Sequence, residues 1–375
     1  MGPPTQRLKS ATLARRRPSV WLIPCLLLAS TLSVRSEAAE FPRSSPIAQA
    51  SYNGNRVILK YHGLSVSLDK GESHDPLVCH SPKDASFVSC LALAARGKVG
   101  GKAVFVMWGP ASDELEIDPA GNIIGINVAL YRLSPTAALP QAILSYWTGG
   151  AHCCISTLIA TQNRNRAWRV IDAGQVDGDG YEFLDLRHNG GSELVDADYS
   201  FNYHFASYAD SFAPTCIFQL QGGHLKNVTH DPAYRAFLIQ RLHEMEDREK
   251  RSDHQYINGY LAGWVAQEAL VGELDNAWQT MLASYDRRST LGVTYCRIDE
   301  SAWKKTDWTY GYPPCPQGQE VIVPFPEALA LFLTGRGYLT RSQSRALGYD
   351  VPKIMAKRRA AIEEATTEYK QLKPP

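Results

Sequence analysis

The chain predicts an α+β protein in which an N-terminal antiparallel β-domain, of partial propeller or sandwich type, precedes a C-terminal helical domain. Three observations carry that expectation. Between residues 56 and 220, short runs rich in β-branched and aromatic residues recur between Gly, Asn and Pro turns. After Asp231, apolar residues recur at helical spacing instead. The 375 residues, 44% hydrophobic and 21% charged, have globular composition and length enough for about two domains. A formal net charge of +1 with scattered Lys and Arg offers no basic face for a nucleic-acid backbone, so that class of partner is excluded.

Residues 1–38 read as a signal peptide. Arg7, Lys9, Arg15, Arg16 and Arg17 precede an apolar run from Val20 to Val34, and Ser36-Glu37-Ala38 supplies a small-x-small cleavage pattern. The run falls short of the ~20 residues a helix needs to cross a bilayer, and no second stretch approaches that length, so no transmembrane segment is expected once the signal is removed. Its removal takes six cations and one anion, turning the formal +1 into −4. The expected location is the periplasm or the exterior.

Residues 39–230 form the predicted β-rich domain. Strands are expected at Arg56 to Tyr61, Leu64 to Leu68, Lys102 to Trp108, Ile123 to Leu133, Ala142 to Trp147, Cys154 to Thr161, Ala167 to Ile171, Glu193 to Phe205 and Thr215 to Leu220. Residues 231–340 form the helical domain. Asp231-Pro232 is an N-cap followed by proline, and three helices follow on the apolar spacing of Tyr234 to Met245, Tyr256 to Val265 and Leu274 to Tyr285. A Pro-rich connection through Cys315 leads to a fourth helix around Phe325 to Thr334, and residues 341–375 make a charged helical or flexible tail. Gly259 and Gly263 are read as positions of close helix packing.

Of eight cysteines, Cys25 leaves with the signal. The other seven face a compartment where disulfides persist. Short loops suggest Cys79 with Cys90 and Cys296 with Cys315, leaving Cys216 to choose between Cys153 and Cys154, with one thiol over. In Gly149-Gly150-Ala151-His152-Cys153-Cys154, the imidazole and two thiols could serve a Zn²⁺ or Cu site or a reactive thiol. The alternative is one cysteine in a disulfide and the other buried as a small apolar group.

The densest chemistry lies between Asp172 and Asp198, where Asp177, Asp179, Glu182, Asp185, Glu193 and Asp196 also fall. Crowded carboxylates raise one another's pKa or recruit a cation, and hard oxygens on a Gly-rich loop are the ligand set of Ca²⁺. Solvated Asp-Gly turns joining strands are the other reading. Asp185 to Leu194, followed by strand residues and by Thr215 to Thr229, resembles the FG-GAP or VCBS repeat, which pairs an acidic Gly-rich calcium loop with a closing strand. The resemblance covers about 60 residues. It implies a β-propeller-like blade in a secreted binding protein, with Asp185, Asn189 and Glu193 at ligand positions, and Asp177 and Asp179 extend the candidate calcium set. Arg187 stands where the repeat carries its second acidic residue. Thr148 to Cys154 and Phe205 to Ser211 are similar to uncharacterised exported bacterial proteins.

Tyr199, Phe201, Tyr203 and Phe205 alternate with polar residues, so a strand there would present four rings on one face, as core or as a stacking platform. No nucleophile elbow, zinc-protease helix motif or phosphate loop is present. The expected function is therefore non-catalytic binding or adaptor work on a protein or glycan of the cell envelope, with calcium the one cofactor considered. The alternative is an envelope hydrolase using the acidic cluster, with Asp177 or Asp179 as general acid or base.

Overall fold

A computed structural model describes residues 41–75, 78–79, 89–119, 123–149, 153–251, 256–302 and 315–372. The expected signal peptide and His152 lie outside these residues. The protein is α+β, with antiparallel sheets through the first two thirds and helices gathered in the last third.

Strand β1 (Ala48–Ser51) lies at the edge of a sheet completed later in the chain. The next four, β2 (Val57–Tyr61), β3 (Leu64–Ser73), β4 (Cys90–Val99) and β5 (Lys102–Ala111), form a four-stranded meander in chain order. A second sheet takes the order β1-β6-β7-β8-β9, with β6 (Ile126–Tyr131), β7 (Gln141–Trp147), β8 (Cys153–Gln162) and β9 (Trp168–Asp177). A third comprises β10 (Glu182–Leu184), β11 (Glu193–Ala197), β12 (Thr215–Gln221) and β13 (His224–Asn227).

Side-chain alternation stacks these sheets. In β7, Ala142 and Leu144 pack with Val66, Leu68 and Met107 of the meander, whereas Ile143 points the other way and meets Leu194 and Leu220 of the third sheet. Strand β8 divides likewise between Ala160 and Ile159. The middle sheet is thus buried on both faces, which is why its strands read as continuous apolar runs. The third sheet repeats the device. Leu194 and Leu220 face the middle sheet, while Val195 and Ile217 meet Phe237, Leu238 and Leu242 of helix α1 (Arg235–Glu249).

Asp231 caps a single 3₁₀ turn, Pro232–Tyr234, by accepting the Ala233 N–H at 3.0 Å, and α1 begins after it. Helices α2 (Ile257–Val271), α3 (Leu274–Ser284) and α4 (Phe325–Arg336) enclose a core of Leu261, Val265, Trp278, Met281, Leu329 and Leu333. Then come α5 (Arg341–Ala346), which opens with a Thr340/Gln343 capping box, and the largely exposed α6 (Val351–Leu372). A short pair, β14 (Thr294–Cys296) with β15 (Glu320–Ile322), links α3 to α4. No described helix is long and apolar enough to cross a membrane.

Two expectations are corrected here. The aromatic run from Tyr199 to Phe205 is not a strand. Strand β11 ends at Ala197, because Asp198 accepts the Ser200 N–H at 3.0 Å and turns the chain into a 3₁₀ helix, Tyr199–Phe201. Phe201 and Phe205 enter the helical core, whereas Tyr203, with φ of 59°, is 65% exposed. Cys216 is a free thiol, so its expected disulfide does not form. Cys79–Cys90 and Cys296–Cys315 are both bonded, and Cys154 is itself disulfide-bonded.

The α2 glycines lie against the chain that follows the 3₁₀ turn. A Cβ on Gly259 would stand 2.5 Å from the Asp210 carbonyl oxygen, and one on Gly263 would stand 1.7 Å from that of Phe212. Neither backbone carbonyl can swing aside. Gly263→Ala is therefore expected to cost about 3 kcal/mol in urea unfolding. Gly335→Ala in α4, where a Cβ meets nothing within 4 Å, should be neutral or slightly stabilising.

Candidate functional site

The acidic segment divides into two groups. Asp185 folds its own loop, with its carboxylate accepting the Asn189 N–H at 2.9 Å and the Gly190 N–H at 2.8 Å. The Asn189 side-chain oxygen accepts the Gly191 N–H at 2.9 Å. Glu193, only 1% exposed, accepts from the Leu186 N–H at 3.1 Å, the Tyr234 hydroxyl at 3.1 Å and Gln219 Nε2 at 3.2 Å. Burial pushes its pKa up while the Leu186 and Tyr234 donors pull it back. These oxygens already serve protein donors. Among the described residues, no three Asp, Glu, His or Cys side chains are placed to share a metal ion, so Asp177, Asp179, Asp185 and Glu193 do not gather at one point.

The second group lines a cleft of about 580 Å³ at the end of the third sheet. Asp177 and Asp179 come from the tight turn after β9, Glu182 from β10, and Asp196 from β11. Helix α1 supplies the facing wall through Arg241, Glu244, Met245 and Arg248, whose i, i+3, i+4, i+7 spacing is one helix face. Arg43 arrives because its backbone bridges to Leu184 at the sheet edge. Tyr131, Tyr181, Tyr199 and Phe212 provide aromatic surface.

Nearly every charge in the cleft is held across elements. Glu182 pairs with Arg241 at 2.7 Å and Arg43 at 3.6 Å, and Arg241 also binds Glu244 at 3.0 Å. Arg248 lies over the Phe212 ring at 4.2 Å and donates to the carbonyls of Ala209 and Ser211. Asp177 accepts the Tyr208 hydroxyl and the Gly178 N–H. Asp179 stands exposed in its turn. Asp196 accepts the Tyr199 hydroxyl, yet burial outweighs that bond and lifts its pKa to about 6. Arg241 Nε is buried with no hydrogen-bond partner, its guanidinium lying over the Phe237 ring at 4.9 Å.

Neither Cys154 nor Cys216 offers a ready thiolate. Cys154, being disulfide-bonded, has no thiolate to give a metal or a substrate. Cys216 lies opposite Asp196 in the β11–β12 register, and burial, then the Asp198 and Asp196 charges, push its thiol up to about 12, so it is no nucleophile. Arg43, Tyr131, Arg241 and Arg248 were not legible as site residues, although the polar face of α1 carried a periodic signal.

Asp196 has a testable sign. A carboxyl whose folded pKa lies above its unfolded value favours the fold most below about pH 4, and that contribution is lost as pH rises through about 6. Asp196→Asn should flatten that part of the melting-temperature profile and be at least as stable as the wild type at pH 8. A second expectation concerns metal. Neither EDTA nor Ca²⁺ should move the melting temperature, whereas a calcium-dependent rise abolished by Asp185→Asn would show the loop rearranging around the ion.

Comparison with known proteins follows the helical part most directly. Residues 238–337, from α1 through the end of α4, match the family described as the sll0997 C-terminal domain. The chain is 36% identical over 204 residues to the probable thylakoid lumen protein sll0997 of Synechocystis, covering 53% of this chain and 57% of that one. It is 31% identical over 318 residues to the uncharacterized protein y4bJ of Sinorhizobium fredii, covering 84% of this chain and 46% of that one. The chain thus spans about half the length of the curated relatives it matches. No solved structure matches.

Proposed function

We propose that this chain is a non-catalytic binding protein of an oxidising, non-cytoplasmic compartment, and that the cleft between the Asp177–Glu182 turn and α1 holds its protein or glycan ligand. The observation that carries this reading is the fixed lining of the cleft. Guanidinium and carboxylate groups are clamped by partners on other elements, and aromatic rings lie among them. Side chains held in place before binding lose little entropy on binding, which favours recognition of a polar ligand. The disulfides Cys79–Cys90 and Cys296–Cys315 support the oxidising compartment, as does the likeness to a relative named a probable thylakoid lumen protein.

One observation favours a second reading. A carboxyl with a pKa of about 6 beside a cleft suits a general acid, and Asp196 would fill that role in an envelope hydrolase. A panel of peptidoglycan fragments, oligosaccharides, esters and envelope peptides, assayed for both binding and turnover, separates the two. Binding without turnover, weakened about tenfold or more in Arg241→Ala and in Tyr131→Ala with circular dichroism unchanged, is the expected result. Turnover that vanishes in Asp196→Asn would replace the binding reading with the hydrolase.

A further inference from the structure

At the opposite end of β9 and β12 from the cleft, a second cavity of about 330 Å³ lies among the turn joining β8 to β9, the turn joining β12 to β13, and the loop 134–141. Its chemistry is one-sided. Arg164 and Arg166 line it with hydroxyls and amides, and no carboxylate is among the described residues of its wall. The amides present donors. Asn163 commits its side-chain oxygen to the N–H groups of Asn165 and Ala167, at 2.9 and 3.0 Å, so its NH₂ is what it can offer.

Arginine side chains lie against the glycine turn. Gly222 and Gly223 have φ of 60° and 83° between the paired Gln221 and His224, the pattern of a two-residue hairpin turn. A Cβ on Gly222 would lie 3.6 Å from Arg164 Nε, and one on Gly223 would lie 3.1 Å from Arg169 Cδ. The Arg164 guanidinium and the aliphatic stem of Arg169 therefore lie beside the bare turn. Arg169 reaches His224 Nε2 at 2.9 Å, a partner that brings no negative charge. Arg166, meanwhile, occupies the left-handed region at φ of 61°, a conformation that glycine or asparagine adopts with less strain.

We propose that these three turns form an oxyanion site that binds a phosphate or sulfate ester on a small molecule, with Arg164 and Arg166 as the charged clamp and Asn163 as a neutral donor. Guanidinium forks match tetrahedral oxyanions through paired N–H bonds, and the cavity has room for a sugar beyond the anion. The site is separate from the cleft.

Isothermal titration of the full-length protein at constant ionic strength tests it, with inorganic phosphate, inorganic sulfate, glucose 6-phosphate and glucose 6-sulfate as probes. The four probes distinguish phosphate from sulfate and free anion from ester. At least one should bind at millimolar concentration or below. Its affinity should fall about tenfold or more in the Arg164→Gln/Arg166→Gln double variant and less in the Arg164→Lys/Arg166→Lys variant, which keeps the charge but loses the fork. Arg241→Ala, in the other cleft, should leave the affinity unchanged. No binding of any probe, equal binding by the Gln double variant with unaltered melting temperature, or loss of binding in Arg241→Ala would each overturn the proposal.

Discussion

A sheet covered on both faces can display polar chemistry only at its ends and edges. The third sheet is in that position, with the middle sheet on one side and α1 on the other. Glu193 shows the cost of the exception. Its buried carboxylate needs Leu186, Tyr234 and Gln219 as donors, because an unpartnered charge there would lose its hydration without compensation. The remaining charged groups move to the strand ends. Asp196 and Thr215 reach the cleft, while Leu220 and the glycine turn reach the arginine-lined cavity, with the seven residues of β12, about 20 Å of strand, between them.

The segment from Asp198 to Phe212 joins the sheets to the helices. Asp198 turns the chain out of β11 and also accepts the Tyr338 hydroxyl at 3.1 Å, from beyond the end of α4. Phe201 and Phe205 plug the helical core, and the α2 glycines let the backbone from Asp210 to Phe212 approach the helix closely. Arg248 then ties this segment back to α1 through Phe212 and two carbonyls. One wall of the cleft is consequently set by helix packing, within the region that resembles the sll0997 C-terminal domain.

Legibility followed the strength of local signals. Runs such as Val57 to Tyr61, Ala142 to Trp147 and Thr215 to Leu220 announce themselves through β-branched and aromatic content, and the helical spacing from Leu274 to Met281 is equally plain. Strand β4 was hidden. Cys90–Val99 is rich in alanine, which favours helix locally, yet it pairs along its whole length with β3, and Gly97 opens a place for the Phe105 ring beside it. At the site, carboxylates crowded in sequence spread over two places in space, since each strand carries its own residues to one end or the other. The arginines that pair with Glu182 are remote in the chain, Arg241 lying 59 residues beyond it and Arg43 far before it.

The amino-acid order alone determined most of the strands and helices, the change near Asp231 from mainly strand to mainly helix, and the two short-loop cysteine pairs. Each rests on neighbours within a few turns of chain. Only the tertiary structure decided that Cys216 is unpaired, that the Tyr199 to Phe205 rings divide between core and surface, and that the Asp196 carboxyl is held above its ordinary pKa in a cleft that Arg241 also lines. Those outcomes depend on burial and on partners brought together from distant segments, and charge–charge and desolvation energies have no value until the distances exist.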